Sequence, residues 1–158
     1  MNKNYYLVAG YILFASFIAQ QVFNWRWLAL QELQQGQMFR RWTGLVLALF
    51  IIFQWGLSLA RTSRRLQEKG LVFYNLHTWT GALSPLIFYI HSMKFGYAYL
   101  FFLSLTFFSN FILGMLNLDV IKQKPQWYFQ GWMISHVAIS LLITMLSVYH
   151  IWIVFYYK

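Results

Sequence analysis

The stretch His77–His91, HTWTGALSPLIFYIH, opens and closes on histidine inside an apolar run, and His136–His150, HVAISLLITMLSVYH, does the same. The chain has 4 histidines, and these two pairs use all of them. Both pairs are H-x13-H. Fourteen residues of α-helix rise roughly 21 Å and turn to about 40° short of four full turns. Each pair is therefore expected on one helix face, near opposite ends of its span. An iron porphyrin ligated on both axial positions takes one neutral imidazole from each side. Two helices with matching pairs can then hold two irons one above the other, and four histidines close two sites.

Composition sets the surroundings of these helices. The chain is 60% hydrophobic and 9% charged over 158 residues, with a mean hydropathy of +0.52. That excludes an ordinary soluble domain and predicts a membrane protein. Five apolar segments, 5–23, 42–60, 71–92, 96–118 and 130–157, each come near or above the roughly 20 residues that cross hydrocarbon. The expected fold is all-α: a multi-pass membrane helical bundle of five transmembrane helices, forming one haem-binding domain over 1–158. The first apolar run is longer than a signal-peptide core and is read as a true span. No cysteine is present, which excludes disulfides, thiolate metal sites and the thioether attachment of c-type haem. The expected cofactors are two haem b.

A net charge of +9 would suggest nucleic acid in a soluble protein. Here the cations fall in the connections, where they meet lipid phosphates and set topology, so no nucleic-acid partner is expected. An N-terminus in the cytoplasm puts Lys3, Arg61, Arg64, Arg65, Lys69, Lys122 and Lys124 inside. Arg26, Arg40, Arg41, Lys94 and Lys158 then lie outside. Seven against five favours that orientation in the cytoplasmic membrane, with the C-terminus outside. Haem propionates would meet Arg61, Arg64, Arg65 and Lys69 at the inner level and Arg40, Arg41 and Lys94 at the outer. Solvated loop charges serving topology account for the same residues. Segment 24–41 mixes Trp25, Trp27, Leu28, Leu30 and Leu33 with polar residues, as a helix in the interface plane does. No internal repeat is visible beyond the histidine spacing.

The residues sharing each histidine stripe are small or apolar. They are His77, Gly81, Ser84, Phe88 and His91 in the third span, and His136, Ser140, Ile143, Ser147 and His150 in the fifth. Gly81, Ser84, Ser140 and Ser147 would let a porphyrin approach the helix, with hydroxyls satisfied by the helix's own carbonyls. Small faces equally promote plain helix packing in membranes. A single intramembrane histidine is often a packing residue, but four in one register on two spans point to function. A transition-metal transporter fits less well, because Glu32, Glu68 and Asp119 are the only acids and all lie outside the spans.

Two H-x13-H helices separated by one intervening span resemble the ferric-reductase-like transmembrane domain shared by NADPH oxidases and bacterial relatives. They also resemble the haem core of quinol-oxidising cytochrome b, although there the histidines lie on the second and fourth spans. Histidines on the third and fifth spans after a basic loop match the former. The resemblance covers most of the chain and implies a diheme b-type cytochrome core whose two histidine helices run parallel. It pairs His77 with His136 on the inner haem and His91 with His150 on the outer. The family usually adds a sixth span and often a flavin and nicotinamide domain, whereas this sequence has five spans and no glycine-rich βαβ unit. The expected function is transmembrane electron transfer, as a subunit or partner of a larger redox system, with a redox subunit or quinol as partner. A quinol-oxidising or a ferric- or oxygen-reducing membrane enzyme is the alternative. No catalytic constellation distinguishes them.

Overall fold

The computed structural model describes residues 5–116 and 125–157, all-helical and without a strand among them. Lys3, Leu118, Asp119, Lys122, Lys124 and Lys158, on which span ends and orientation partly rest, lie outside the described residues. The chain packs as two compact units, Met1–Lys94 and Phe95–Lys158.

The first unit contains α1 (Tyr5–Phe23), α2 (Leu28–Gln35), α3 (Gln37–Gln54), α4 (Gly56–Thr62), a 3₁₀ turn (Gln67–Lys69), α5 (Gly70–Ala82) and α6 (Ser84–His91). Helix α1 packs on α5 and α6, α3 on α6 and α4 on α5. The buried residues of α1 are Tyr6, Gly10 and Phe17, spaced by four and seven along one face. Phe17 meets Phe88 edge-on with ring centroids 5.7 Å apart, and Tyr6 meets Trp79 at 6.0 Å. Lipid tails are as apolar as these rings, so close packing and ring geometry hold such helices together, not removal from water.

Three segments expected to be continuous helices are broken. The third span, 71–92, is α5 followed by α6. Pro85 has no N–H to give the Gly81 carbonyl, and its ring crowds that carbonyl. The backbone responds by tightening, with Leu83 N–H bonding Thr80 O at 3.0 Å. Segment 24–41 is likewise not one interfacial helix, because Gly36 is extended (φ −69°, ψ 126°) and separates α2 from α3. A third interruption at Trp55 divides α3 from α4.

The second unit contains α7 (Tyr99–Met115) and α8 (Gln126–Tyr156), packed on each other. Tyr99 meets His150, while Gly114 lies beside His136, so the two helices run antiparallel. On α8 only Ile143 is fully buried, and His136, Ser140, Ser147 and His150 are half-buried. Ile134, Leu141, Met145 and Val148 are exposed. The stripe anticipated from the helical period is thus the inward face of α8, and an apolar remainder faces outward, as lipid requires.

Three helical stretches among the described residues are long and apolar enough to cross a membrane: Tyr5–Phe23, Gln37–Thr62 and Gln126–Tyr156. Helix α7 is apolar but shorter, at 17 residues. The chain is a helical protein built for a membrane.

Candidate functional site: four histidines with oriented rings

His77 lies on α5 and His91 ends α6. Both face α3, which runs antiparallel to them. Gln54 is the last residue of α3, and the last carbonyls of a helix have no intrahelical partner. Its carbonyl oxygen lies 3.2 Å from His77 Nδ1. A carbonyl only accepts, so Nδ1 carries the hydrogen and the lone pair of the neutral ring sits on Nε2. At the other end of α3, Thr43 Oγ1 lies 3.2 Å from His91 Nδ1. The Thr43 hydroxyl donates to Phe39 O at 2.8 Å, which leaves its oxygen to accept from His91 Nδ1–H. The same tautomer follows.

Gly44 stands directly opposite the His91 ring. A Cβ there would lie 3.1 Å from His91 Cε1. The end of α6 is fixed by two glutamines: Gln34 Nε2 donates to Tyr89 O at 2.8 Å and Ile90 O at 3.0 Å, and Gln21 Nε2 donates to Met93 O. These bonds satisfy carbonyls that a helix terminus leaves open, and they hold the segment that carries His91.

In the second unit, Tyr99 Oη lies 3.4 Å from His150 Nδ1. His136 is stacked on Trp132, with centroids 5.7 Å apart and planes within 4°. The indole is itself held by Trp132 Nε1–H donating to Leu113 O at 2.7 Å. Gly114 faces the His136 ring, where a Cβ would come 3.4 Å from Cε1.

A second polar layer recurs in both units. Gln54 Nε2 donates to Thr80 Oγ1 at 2.8 Å, and Asn110 Nδ2 donates to Ser140 Oγ at 2.9 Å. Thr80 is three residues after His77, and Ser140 is four after His136. Each hydroxyl in turn donates to its own helix, to Leu76 O at 2.6 Å and His136 O at 2.7 Å. The amide oxygens Gln54 Oε1 and Asn110 Oδ1 are buried, and neither has a hydrogen-bond partner among the described residues. Each histidine pair therefore has an antiparallel companion helix. It supplies a hydroxyl to the second histidine, a glycine beside one ring, and a carboxamide one turn from the first histidine.

Of the residues expected to make room for a macrocycle, Gly81 borders Gln54, where a Cβ would lie 4.0 Å from Oε1. Ser84 begins α6 and is buried, and Ser140 donates to its own helix as anticipated. Ser147 is half-buried on the inward face of α8. Thr43, Gly44, Gln54, Tyr99, Asn110 and Gly114 are absent from the sequence reading. The carboxamides left a signal, since Gln54 and Asn110 are polar groups inside apolar runs, IIFQWGL and FFSNFIL, where such residues join helices. The cations Arg40, Arg61, Arg64, Arg65, Lys69 and Lys94 are exposed.

Among the described residues, no three His, Cys, Asp or Glu side chains gather at one point. The imidazoles are presented singly, and two of them have the proton assigned to Nδ1. The glycines beside two of the rings let those imidazoles lie close against their companion helices. Compared with known proteins, the chain matches no family model, no curated protein and no solved structure.

Proposed function

We propose that this chain relays single electrons through a membrane by holding two b-type haems, His77 with His136 on one and His91 with His150 on the other. The observation that carries this reading is the orientation of the imidazoles. The His77 and His91 rings have Nδ1–H engaged by an oxygen, which leaves Nε2 as the basic nitrogen an iron requires. A packing histidine has no need of such a constraint at both ends of a span.

The bound groups would supply reversible one-electron exchange at iron. The protein's part is placement: α3 orients His77 and His91, and α7 with Trp132 orients His136 and His150. On this reading Gly81, Ser84, Ser140 and Ser147 would keep the ligand faces low. With the N-terminus in the cytoplasm, His77 would stand toward the inner face, with Arg61, Arg64, Arg65 and Lys69 on its side. Arg40, Arg41 and Lys94 lie on the outer side. The electron donor would be a partner subunit or a quinol, because a hydride donor needs a flavin to divide its electron pair.

The test is haem stoichiometry. Pyridine haemochrome analysis of the chain, purified after haem-replete expression, is expected to give two haem b per chain with low-spin bis-histidine spectra. A ratio of one, or none, overturns the relay.

A further inference from the structure

We infer that residues 23–34 form a strap that seats in a layer of anionic lipid headgroups, and that Gln34 transmits this seating to the end of α6. The inference concerns the first unit alone and stands apart from the haem reading.

The neighbours of the strap in the chain set its level. Helix α2 joins α1 to α3, and both belong to stretches long and apolar enough to cross a membrane, Tyr5–Phe23 and Gln37–Thr62. A short connection between the end of one span and the start of the next lies among the headgroups. The side chains suit that level. Trp25 and Trp27 are exposed, Trp25 stacks on Phe23 with centroids 5.4 Å apart, and indoles favour the boundary between hydrocarbon and water. On α2 Leu30 is buried. Ala29 and Leu33, four residues apart, form an exposed apolar strip, while Glu32 and Gln35 are exposed on another side of the helix. A helix of this pattern lies in the interface plane with its strip toward the acyl chains. Arg26 favours an anionic headgroup. Its Nε and Nη2 donate to Asn24 Oδ1 at 3.1 and 2.8 Å, a neutral acceptor that orients the guanidinium without cancelling its charge. Segment 24–41 carries Arg26, Arg40 and Arg41 against Glu32 alone, a balance that draws it to a negatively charged surface.

The strap ends on α6. Gln34, four residues after Leu30, donates from Nε2 to Tyr89 O at 2.8 Å and Ile90 O at 3.0 Å. Its Oε1 accepts from the N–H of the buried Met93 at 3.3 Å. One carboxamide therefore bonds the chain on both sides of its exit from α6. Carbonyls in the last turn have no intrahelical partner, so a strap that leaves the interface and withdraws Gln34 loosens the segment it holds.

The chain has no cysteine, so a single introduced thiol takes a nitroxide label at one position. Leu33→Cys and Glu32→Cys, labelled in the full chain, are reconstituted in phosphatidylcholine vesicles with and without phosphatidylglycerol. The Leu33 label is expected to be relaxed by oxygen, which concentrates in hydrocarbon, and the Glu32 label by a water-soluble nickel chelate. Amide exchange reads the coupling. In vesicles containing phosphatidylglycerol, Arg26→Gln should speed exchange of residues 89–93 up to roughly fivefold, the factor one cation contributes at an anionic surface, and Arg26→Lys should restore the parent rate. Gln34→Leu should speed the same exchange while the Leu33 label keeps its depth. Nickel access at Leu33, or dipolar broadening between labels that shows a second copy on this face, overturns the seating. Exchange unaltered by Arg26→Gln, or altered equally in phosphatidylcholine alone, overturns the role of anionic lipid and its transmission to α6.

Discussion

The carbonyl oxygen of Gln54 lies 3.2 Å from Nδ1 of His77, and it is the break at Trp55 that places this oxygen at a helix end. In an unbroken helix a carbonyl four residues before a backbone N–H is already spent. Ending α3 at Gln54 opens that group, and a histidine 23 positions along the chain takes it. A local interruption thereby becomes the orienting contact for a proposed ligand.

Haem loss should follow the pairing. His77→Ala and His136→Ala are each expected to remove the same component of the optical and redox spectra and to spare the other. His91→Ala and His150→Ala should remove the second component. Matching spectra from His77→Ala and His150→Ala would show that the histidine helices do not run parallel.

Gly44→Ala should disturb one level selectively. The added Cβ would lie 3.1 Å from His91 Cε1, closer than carbon atoms pack comfortably, so the ring must shift by a few tenths of an ångström. The expected outcome is a weakened or spectrally altered haem at the His91 level with the protein still inserted. Gly131→Ala is the control, since nothing lies within 4 Å of its Cβ position. Equal spectra for the two variants would remove Gly44 from the site.

The hydroxyl of Ser140 should matter more to stability than the carboxamide that contacts it. Asn110→Leu gives up one bond to Ser140 Oγ but also removes the buried oxygen Oδ1, so the two effects offset. Hydrogen bonds between membrane helices average roughly 0.6 kcal/mol, and a net cost under about 1 kcal/mol is expected. Ser140→Ala strands the Asn110 amide hydrogen as well, and an unpaired buried donor costs about 1–3 kcal/mol. Denaturant unfolding of the two variants in detergent would rank them, and a larger loss for Asn110→Leu would contradict this account.

Ala98→Gly should stabilise the chain. Ala98 has φ 51° and ψ −124°, and Leu100 N–H bonds Tyr97 O at 3.0 Å, which makes Tyr97–Leu100 a type II′ turn with alanine where glycine is favoured. Relief of that strain is worth about 1 kcal/mol. Thermal unfolding should shift upward by a few degrees. A lower midpoint would mean that the alanine conformation is not strained. Tyr99 follows Ala98 within this turn, and because glycine keeps the same backbone conformation, the His150 spectrum of this variant should remain that of the parent.

What the sequence determined by itself is local and periodic. Sixty per cent apolar composition required a lipid environment, and the 3.6-residue period assigned His136, Ser140, Ile143, Ser147 and His150 to one face, which is the inward face of α8. Both follow from helix geometry and solvation, which depend on neighbouring residues alone. Pro85 was in plain view as a helix breaker, yet the apolar run around it concealed the break at Leu83. Tertiary structure alone decided which oxygen each imidazole meets. The partners of His77, His91 and His150 lie 23, 48 and 51 positions away, on helices whose own patterns give no register against the histidine spans. Antiparallel packing sets that register through close contact: Gly44 against His91, Gly114 against His136, and the carboxamides against Thr80 and Ser140. The spacing of a ligand pair is written along one helix, whereas the hydrogen bond that fixes its tautomer needs a second helix at a definite height.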